Sequence, residues 1–273
     1  MHRHISRLMV AAVLGFLFIS ATHAASTSDR PRAPTIVLVH GAFADASSWN
    51  GVIPKLQADG YEVIAVANPL RSVASDSAYV SGILKTIPGP VILVGHSYGG
   101  AVISNAAVGN DNVRALVFVA GFAPEAGESA AGLVGKFPGA TLGAALAPPV
   151  ALAGGAHDLY ITQSQFREPF AADLPAAAVK LAAATQRPIT DVAFQESSGE
   201  PAWKMLPSWF IYGSADHAIP AAAHAFMAER AKARRVQVVK GASHVVMISH
   251  AAEVAKMISE AATATTTATA SQS

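Results

Sequence analysis

Ser97 lies between two glycines in the pentapeptide Gly95-His-Ser-Tyr-Gly99, directly after the apolar run Val91–Val94. A serine that attacks a carbonyl carbon must sit on a sharp turn between a strand and a helix. There its hydroxyl projects into a cleft, and the glycines avoid collisions with nearby backbone. The apolar run before Ser97 and the helical pattern after it supply that context. The segment therefore predicts a nucleophilic serine; the alternative is a glycine-rich turn that lets a helix pack closely on a strand.

A neutral serine hydroxyl needs a base to remove its proton, and the base needs an acid that orients it. Asp216 follows the apolar run Ser208–Tyr212, and His244 follows the run Val236–Val239. Because loops that follow parallel strands meet at one edge of a sheet, we expect both side chains to reach Ser97. The predicted catalytic residues are therefore Ser97, Asp216 and His244. For Asp216, the alternative is a helix cap or an Asx turn.

Other histidines stand near these loops, and we expect none of them to be the base. His217 adjoins the predicted acid, His224 falls inside a predicted helix, and His250 lies on or near the last helix. His157 lies in a long insertion, where it can touch a substrate. Only His244 follows a strand in the position that the arrangement requires.

A catalytic serine also requires backbone N–H groups that stabilise the negative charge on the attacked oxygen. One should belong to the residue after the nucleophile, Tyr98, and the second to the loop after the first strand. That loop reads His40-Gly-Ala-Phe after the run Thr35–Val39, and Ala42 is the predicted donor, with Phe43 as the alternative. We expect His40 to have a structural role, tying the loop together through hydrogen bonds.

Short β-branched apolar runs alternate with amphipathic stretches along most of the chain. Nearly continuous apolar runs are typical of parallel strands that are covered on both faces. The predicted strands are Thr35–Val39, Tyr61–Ala65, Val91–Val94, Ala115–Val119, Ser208–Tyr212 and Val236–Val239. The predicted helices are near Ser48–Gln57, Ser75–Ile87, Ser97–Val108, Ala221–Ala231 and Ala251–Ala261, with further helical patches near Ser164–Ala171 and Pro175–Gln186. This alternation predicts an α/β fold with a doubly wound, mainly parallel sheet of about six strands.

The alternation stops over a long insertion, at about residues 122–205, which is rich in Ala, Gly and Pro. We expect a helical lid over the ends of the strands, without a sheet of its own; the alternative is packing on the sheet edge. The predicted substrate-binding residues are Phe43, Phe122, Leu159, Tyr160 and Phe166. For most apolar residues of the insertion, the alternative is packing of the lid on the body.

Four motifs together resemble the α/β-hydrolase superfamily: His40-Gly-Ala-Phe, Gly95-His-Ser-Tyr-Gly-Gly, Gly213-Ser-Ala-Asp-His-Ala-Ile-Pro and Gly241-Ala-Ser-His. The first is most similar to the small single-domain branch of methylesterases, hydroxynitrile lyases and bacterial carboxylesterases. The resemblance implies a triad of Ser97, Asp216 and His244, a helical lid and no cofactor. The full fold begins with two antiparallel strands, for which there is no room before Thr35.

The resemblance and the apolar insertion together indicate hydrolysis of a small, largely apolar carboxylic ester through an acyl-enzyme. A serine nucleophile argues against haloalkane dehalogenase and epoxide hydrolase chemistry, in which an aspartate attacks. The alternatives are lactone or amide hydrolysis, perhydrolysis and hydroxynitrile cleavage by the same triad. Lyases of the similar branch use a lysine near the site, and Lys204 stands close to the end of the insertion. A non-catalytic ligand-binding protein of the same fold is the remaining alternative.

The composition argues against several other kinds of function. The chain has 273 residues, of which 52% are hydrophobic and 14% charged, and its formal net charge is +1. Because there is no basic patch, nucleic acid is not an expected partner. The sequence contains no cysteine, which excludes disulfides and thiolate metal sites, and we expect no metal and no other cofactor. The expected partner is a small-molecule ester; the oligomeric state stays open.

Residues 1–24 have the pattern of a secretory signal peptide. A basic start, Met1–Arg7, precedes an apolar stretch, Leu8–Ile19, and small residues follow. Because this stretch is shorter than the ~20 residues of a spanning helix, we expect cleavage near Ala24 or Ala25. The protein would then keep no stable membrane anchor and be exported to the periplasm or the medium. The alternative is a retained membrane anchor.

After the leader, one hydrolase domain is expected over residues 33–262. The last stretch, residues 263–273, is an Ala/Thr/Ser tract without apolar periodicity. Such a composition is typical of a terminal segment without fixed structure, and we expect a disordered tail there.

Overall fold

The computed structural model describes residues 33–270, with side chains up to residue 265. The predicted signal peptide, residues 1–24, lies outside the described residues. No helix in the described range combines the length and the apolar character that crossing a bilayer requires.

Nine strands occur within residues 33–270, and six of them form one sheet. They are β1 (Thr35–Val39), β2 (Val63–Val66), β3 (Val91–His96), β4 (Val113–Val119), β5 (Val150–Ala151), β6 (His157–Leu159), β7 (Ile189–Thr190), β8 (Ser208–Gly213) and β9 (Arg235–Val239). The order across the main sheet is β2-β1-β3-β4-β8-β9, and all neighbours are parallel. The predicted six-stranded parallel sheet is therefore confirmed.

Two helical layers cover this sheet. The helices of the described range are α1 (Ile53–Ala58), α2 (Val73–Leu84), α3 (Tyr98–Ala106), α4 (Ala130–Gly135), α5 (Arg167–Phe170), α6 (Ala176–Thr185), α7 (Asp191–Gln195), α8 (Ala221–Arg230), α9 (Val246–Ser249) and α10 (Ala251–Ala270). Helices α2 and α3 pack together, with α3 against β1, β3 and β4, whereas α10 contacts α1, β3, β4 and β8. This arrangement is the predicted doubly wound fold.

The central strands are buried because helices lie on both sides of them. All five residues of β1 and all six residues of β3 are buried, whereas only the last residue of the edge strand β9 is. Since β3, β8 and β9 run in the same direction, their carboxyl ends lie at one edge of the sheet. The loops that carry Ser97, Asp216 and His244 all leave from that edge.

The insertion between β4 and β8 contains a small sheet that the sequence did not predict. Strands β5, β6 and β7 are antiparallel, with Ala151 opposite His157 and Leu159 opposite Ile189. The two predicted helical patches correspond to α5 and α6. The expectation of an insertion without a sheet was wrong because strands of two or three residues are too short to show an alternating pattern.

The last helix, α10, continues well past Ala262, where the sequence analysis placed a disordered tail. The hydroxyl of Thr263 donates to the carbonyl of Ser259 at 2.9 Å, and that of Thr265 donates to Ala261 at 3.0 Å. Alanine favours helix strongly, and these threonines satisfy their hydroxyls on the preceding turn. The tail prediction was therefore wrong for residues 263–270; residues 271–273 lie outside the described range.

Three glycines allow α3 to pack directly against the sheet after β3. A Cβ atom on Gly95 would lie 2.5 Å from the carbonyl oxygen of Gly99, and one on Gly99 would lie 2.5 Å from that of Val39. A Cβ atom on Gly100 would collide with the backbone of Phe122. Because these neighbours are backbone atoms that cannot turn aside, only glycine fits, as predicted for Gly95 and Gly99.

We predict that Gly100→Ala lowers the free energy of unfolding by about 2 kcal/mol, because the added methyl group must displace α3 or the backbone at Phe122. Gly82→Ala is the matched control, since Gly82 lies exposed on α2 and a Cβ there meets no atom within 4 Å. The control should leave stability unchanged or raise it by up to about 1 kcal/mol. Chemical denaturation measures both variants, and a Gly100 variant as stable as the parent protein would contradict this packing.

Candidate active site

Ser97 occupies a strained turn between β3 and α3. Its backbone angles are φ 52° and ψ −125°, a region that residues with side chains rarely adopt. Its N–H donates to the carbonyl of Ala120 at 3.1 Å, and its own carbonyl accepts from Phe122 at 3.0 Å. Gly41 approaches so closely that a Cβ there would lie 2.5 Å from the Cβ of Ser97. The backbone around Ser97 therefore holds it in the strained conformation that a nucleophile on such a turn requires.

His244 and Asp216 form a buried hydrogen-bonded pair. His244 Nδ1 lies 2.8 Å from Asp216 Oδ2, and both side chains are excluded from solvent. A carboxylate only accepts, so the His244 proton is on Nδ1 and Nε2 is free to accept another. His244 and Ser97 line the same cavity. The described residues include no hydrogen bond between the two side chains, a contact that often tightens only when substrate binds.

The other oxygen of Asp216 closes its loop. Oδ1 accepts the N–H groups of Ala218 and Ile219, each at 2.9 Å. The Asx turn, considered from the sequence as an alternative to pairing with His244, is therefore present together with that pairing. Burial alone raises the pKa of the Asp216 carboxyl, but the adjacent rings of His244 and His224 outweigh burial and hold that pKa well below its usual range.

His224 is the residue near the site that the sequence analysis missed. It lies on α8, eight residues after Asp216, and its Nε2 is 3.1 Å from Asp216 Oδ2. Its sequence position predicts a helix but does not indicate the hydrogen bond to Asp216. The available signal was its position one turn into the helix that follows the Asp216 loop, where its side chain can reach back to that loop.

Two further buried histidines, His40 and His96, form hydrogen bonds with the backbone around the site. His40 donates from Nδ1 to the carbonyl of Gly41 at 2.9 Å, and its Nε2 accepts the N–H of Asn68 at 3.0 Å. His96 donates from Nε2 to the carbonyl of His244 at 3.2 Å. Burial lowers the pKa of both rings, and the nearby His244 lowers that of His96 further, so both are neutral. The expected structural role of His40 agrees with these bonds.

The backbone N–H groups beside Ser97 differ in whether they are already engaged. The N–H of Phe43 donates to the carbonyl of Arg187 at 2.9 Å and is therefore not free for a substrate. Within residues 33–270, no backbone acceptor engages the N–H of Ala42 or that of Tyr98. Both residues line the cavity that contains Ser97, so their N–H groups remain available there.

The cavity over Ser97 has a volume of about 100 Å³ and an apolar wall. Its polar side chains are those of Ser97, His244 and Tyr98, and the Tyr98 hydroxyl is turned away to donate to Asp76 at 2.9 Å. The remaining residues of the lining have small or apolar side chains: Ala42, Phe43, Phe122, Val134, Ala140, Leu142, Gly143, Leu146, Leu159, Phe170, Ile189, Phe194, Ala218 and Ile219. No side chain of the described lining carries a formal charge apart from His244 when it is protonated.

Three of the five residues predicted to bind substrate line this cavity, namely Phe43, Phe122 and Leu159, whereas Tyr160 and Phe166 do not. Leu159 points into the cavity, and its neighbour Tyr160 points elsewhere because successive side chains of an extended segment alternate. Phe166 is fully buried against Phe170, with ring centroids 5.0 Å apart. Phe170 lines the cavity, and its ring centroid lies 5.2 Å from that of His244.

The remaining histidines lie outside this cavity. His157 pairs with Asp191 in the insertion at 3.1 Å, and His250 bonds to the Ser249 hydroxyl at 2.8 Å. The carbonyl of His217 accepts the N–H of Thr141. In the described part of the chain, no group of three or more His, Asp or Glu side chains is arranged to hold a metal ion.

Comparison with known proteins places the chain among proteins of related sequence and fold. It matches the sequence profile described as "Alpha/beta hydrolase family" over residues 36–257. It is 24% identical over 234 residues to the alpha-hydroxynitrile lyase of Arabidopsis thaliana, covering 78% of this chain and 91% of that protein. It is 26% identical over 206 residues to methylesterase 8 of Arabidopsis thaliana, covering 67% and 72%. A solved structure of a pyrethroid hydrolase from Sphingobium faniae is similar with a TM-score of 0.68 and 25% identity, covering 85% and 98%.

Proposed function

This chain belongs to the alpha/beta hydrolase family, and we propose that it is a serine hydrolase that cleaves small, uncharged carboxylic esters through an acyl-enzyme. The observation that carries the proposal is the buried Asp216–His244 hydrogen bond of 2.8 Å, whose histidine borders the same apolar cavity as Ser97. The names of methylesterase 8 and of the pyrethroid hydrolase support a hydrolytic reaction.

In the proposed reaction, His244 accepts the hydroxyl proton of Ser97 while Oγ attacks the carbonyl carbon of the ester. The imidazolium returns that proton to the departing alcohol, and the acyl group stays on Ser97 as an ester. A water molecule then gives a proton to His244 and attacks the acyl carbon. The bond between the acyl carbon and Ser97 Oγ breaks, His244 returns the proton to Oγ, and the carboxylic acid is released. Asp216 stays ionised throughout, keeps the proton of the neutral ring on Nδ1 and stabilises the positive ring.

We assign the stabilisation of the negative charge that develops on the carbonyl oxygen to the N–H groups of Ala42 and Tyr98. Both are free of backbone acceptors in the described residues, and Tyr98 is also the first residue of α3, whose N-terminal end favours a negative charge. Each such donor contributes roughly 2.7–4 kcal/mol to stabilisation of the transition state. Ala42 is favoured over Phe43 as the second donor because the N–H of Phe43 already donates to the carbonyl of Arg187.

The apolar lining supports an uncharged substrate of modest size. A carboxylate or ammonium group on the substrate would lose its water in this cavity without gaining a charged partner, which is strongly unfavourable. A short aliphatic or aryl group gains favourable contact with Phe43, Leu159 and Phe170 instead. Esters, including cyclic esters (lactones), satisfy these requirements.

Ester hydrolysis is favoured over a lyase reaction that depends on a lysine. Lys204, the lysine near the end of the insertion, which nothing in the sequence places in the pocket, pairs with Glu125 at 2.5 Å and with Glu200 at 3.0 Å. The described cavity lining contains no lysine. The described residues therefore offer no lysine to a hydroxynitrile in this cavity.

We predict that Ser97→Ala lowers kcat for p-nitrophenyl butyrate by about 10⁴-fold or more, because the attacking oxygen is removed. A fluorophosphonate probe should label the parent protein at Ser97 and leave the Ser97 variant unlabelled. The parent protein should also cleave p-nitrophenyl butyrate far faster than the hemisuccinate, which has the same leaving group but a charged acyl chain.

Ser104→Ala is the matched control, because Ser104 lies on α3, the helix that directly follows Ser97, is buried, and donates to the carbonyl of Gly100 rather than facing the cavity. That variant should keep both activity and labelling. Probe attached to a residue other than Ser97, or full activity in the Ser97 variant, would refute the proposed nucleophile.

We also propose that the protein is exported after removal of residues 1–24. The basic start and the short apolar stretch of the sequence support this, although both lie outside the described residues. N-terminal sequencing of the protein expressed in a bacterial host should find Ala25 or Ser26 as the first residue. A purified protein that still begins at Met1 would contradict the proposal.

A further inference from the structure

We propose that His224 is a positioning residue for the catalytic pair: by donating to the same oxygen of Asp216 as His244 does, it fixes that carboxylate and reduces the negative charge that faces His244. The inference rests on the proposed function, because it assigns His244 as the base. It adds a second histidine, on a separate helix, to the three residues that act on the substrate.

The hydrogen bonds around Asp216 leave little freedom to the carboxylate. Oδ2 accepts from His244 at 2.8 Å and from His224 at 3.1 Å, while Oδ1 accepts from two backbone N–H groups at 2.9 Å. A carboxylate has about four lone-pair sites, so these donors occupy all of them. Since the side chains of Asp216 and His224 are completely buried, water does not compete for this oxygen.

The bond to Asp216 also fixes the tautomer of His224. Because the carboxylate only accepts, Nε2 of His224 carries the proton and Nδ1 does not. Nδ1 is buried and has no hydrogen-bond partner among the described residues. Burial lowers the pKa of this ring, and the bond to Asp216 opposes burial only in part, so the ring is a neutral donor. An apolar residue would fill the same space without leaving a buried nitrogen unpaired. We therefore infer that the Nε2–H, which donates to Asp216, is the reason for a histidine here.

The surroundings of His224 contain few other groups that titrate. The Tyr212 ring of β8 stacks on it, with centroids 4.7 Å apart and ring planes 21° apart, which fixes the direction of Nε2–H. Burial raises the pKa of the Tyr212 hydroxyl, so Tyr212 is neutral. Asp216 faces the ring directly, and His244 lies on the far side of the carboxylate, with His96 beyond it. The charge that His224 acts on is therefore that of Asp216.

The direction of the effect follows from the shared oxygen. A hydrogen bond from His224 withdraws part of the negative charge of Oδ2, so that oxygen attracts a protonated His244 less strongly. Without this donor, more negative charge stays on Oδ2 beside His244. We therefore expect the enzyme to lose activity at a higher pH than the parent protein does.

We predict that His224→Leu moves the acid limb of the pH profile of kcat/KM for p-nitrophenyl butyrate upward by about 0.5–1 pH unit. His224→Gln, whose side-chain amide can donate to the same oxygen, should restore the limb to within about 0.2 unit of the parent protein. His157→Leu is the matched control, because it removes a histidine from a His–Asp pair of the same 3.1 Å length outside the cavity. That control should leave the limb in place.

A readout that needs no catalysis separates this inference from the proposed function. In proton spectra, the low-field signal of His244 Nδ1–H should move further downfield in His224→Leu than in His224→Gln. If the parent protein cleaves no ester yet this signal moves, the role of His224 stands and the proposed function fails. If esters are cleaved but neither the acid limb nor the signal responds, the role of His224 is refuted.

Folding of the variants does not limit the test, because the unaltered protein provides a further measurement. Nitrogen spectra of histidine-labelled protein at neutral pH should show His224 protonated on Nε2 and unprotonated on Nδ1. A proton on Nδ1 would mean that Nε2 donates nothing to Asp216, and it would overturn the inference.

Discussion

The buried hydrogen bond between His244 and Asp216 is the interaction on which the site depends. It requires two loops, one after β8 and one after β9, to meet out of contact with water. The pairing of Gly213 with Val239 at the ends of these strands brings the loops together, and the absence of a side chain at Gly213 lets the backbone of Ala242 pass beside it. One buried carboxylate then makes two kinds of contact: Oδ1 holds its own loop together, and Oδ2 orients the ring of His244.

Ser97 is held by a different constraint, namely close backbone packing. A residue with a side chain at φ 52° stores strain of about 1–3 kcal/mol, and Ser97 is kept there by hydrogen bonds to the segment after β4. The glycines at 95, 99 and 100 allow this approach because a Cβ at any of them would meet backbone. The strained turn and the buried pair are thus built by different strands, and their relation is set by the sheet together with the hydrogen bond from His96 to the carbonyl of His244.

Sequence reasoning succeeded where long, repeated patterns carry the information. Nearly continuous apolar runs of four or five residues predicted all six strands of the main sheet. The catalytic roles of Ser97, Asp216 and His244, inferred from their positions after three of these strands, stay predictions. Sequence reasoning failed where tertiary contacts decide: the short strands of the insertion, the burial of Phe166 outside the cavity, and the continuation of α10. The role of His224 was not predicted because the sequence around a histidine within a helix does not show which loop its side chain bonds to.

The central claim is that Ser97, His244 and two backbone N–H groups act on one carbonyl group. A crystal structure with butaneboronic acid tests it most directly, because the tetrahedral boronate has the shape of the transition state. The account predicts boron bonded to Ser97 Oγ, with one boronate oxygen within about 3.1 Å of both Ala42 N and Tyr98 N. A second oxygen should lie within hydrogen-bonding distance of His244 Nε2. Boron bound elsewhere, or a boronate on Ser97 with its oxygens directed away from these groups, would contradict the account.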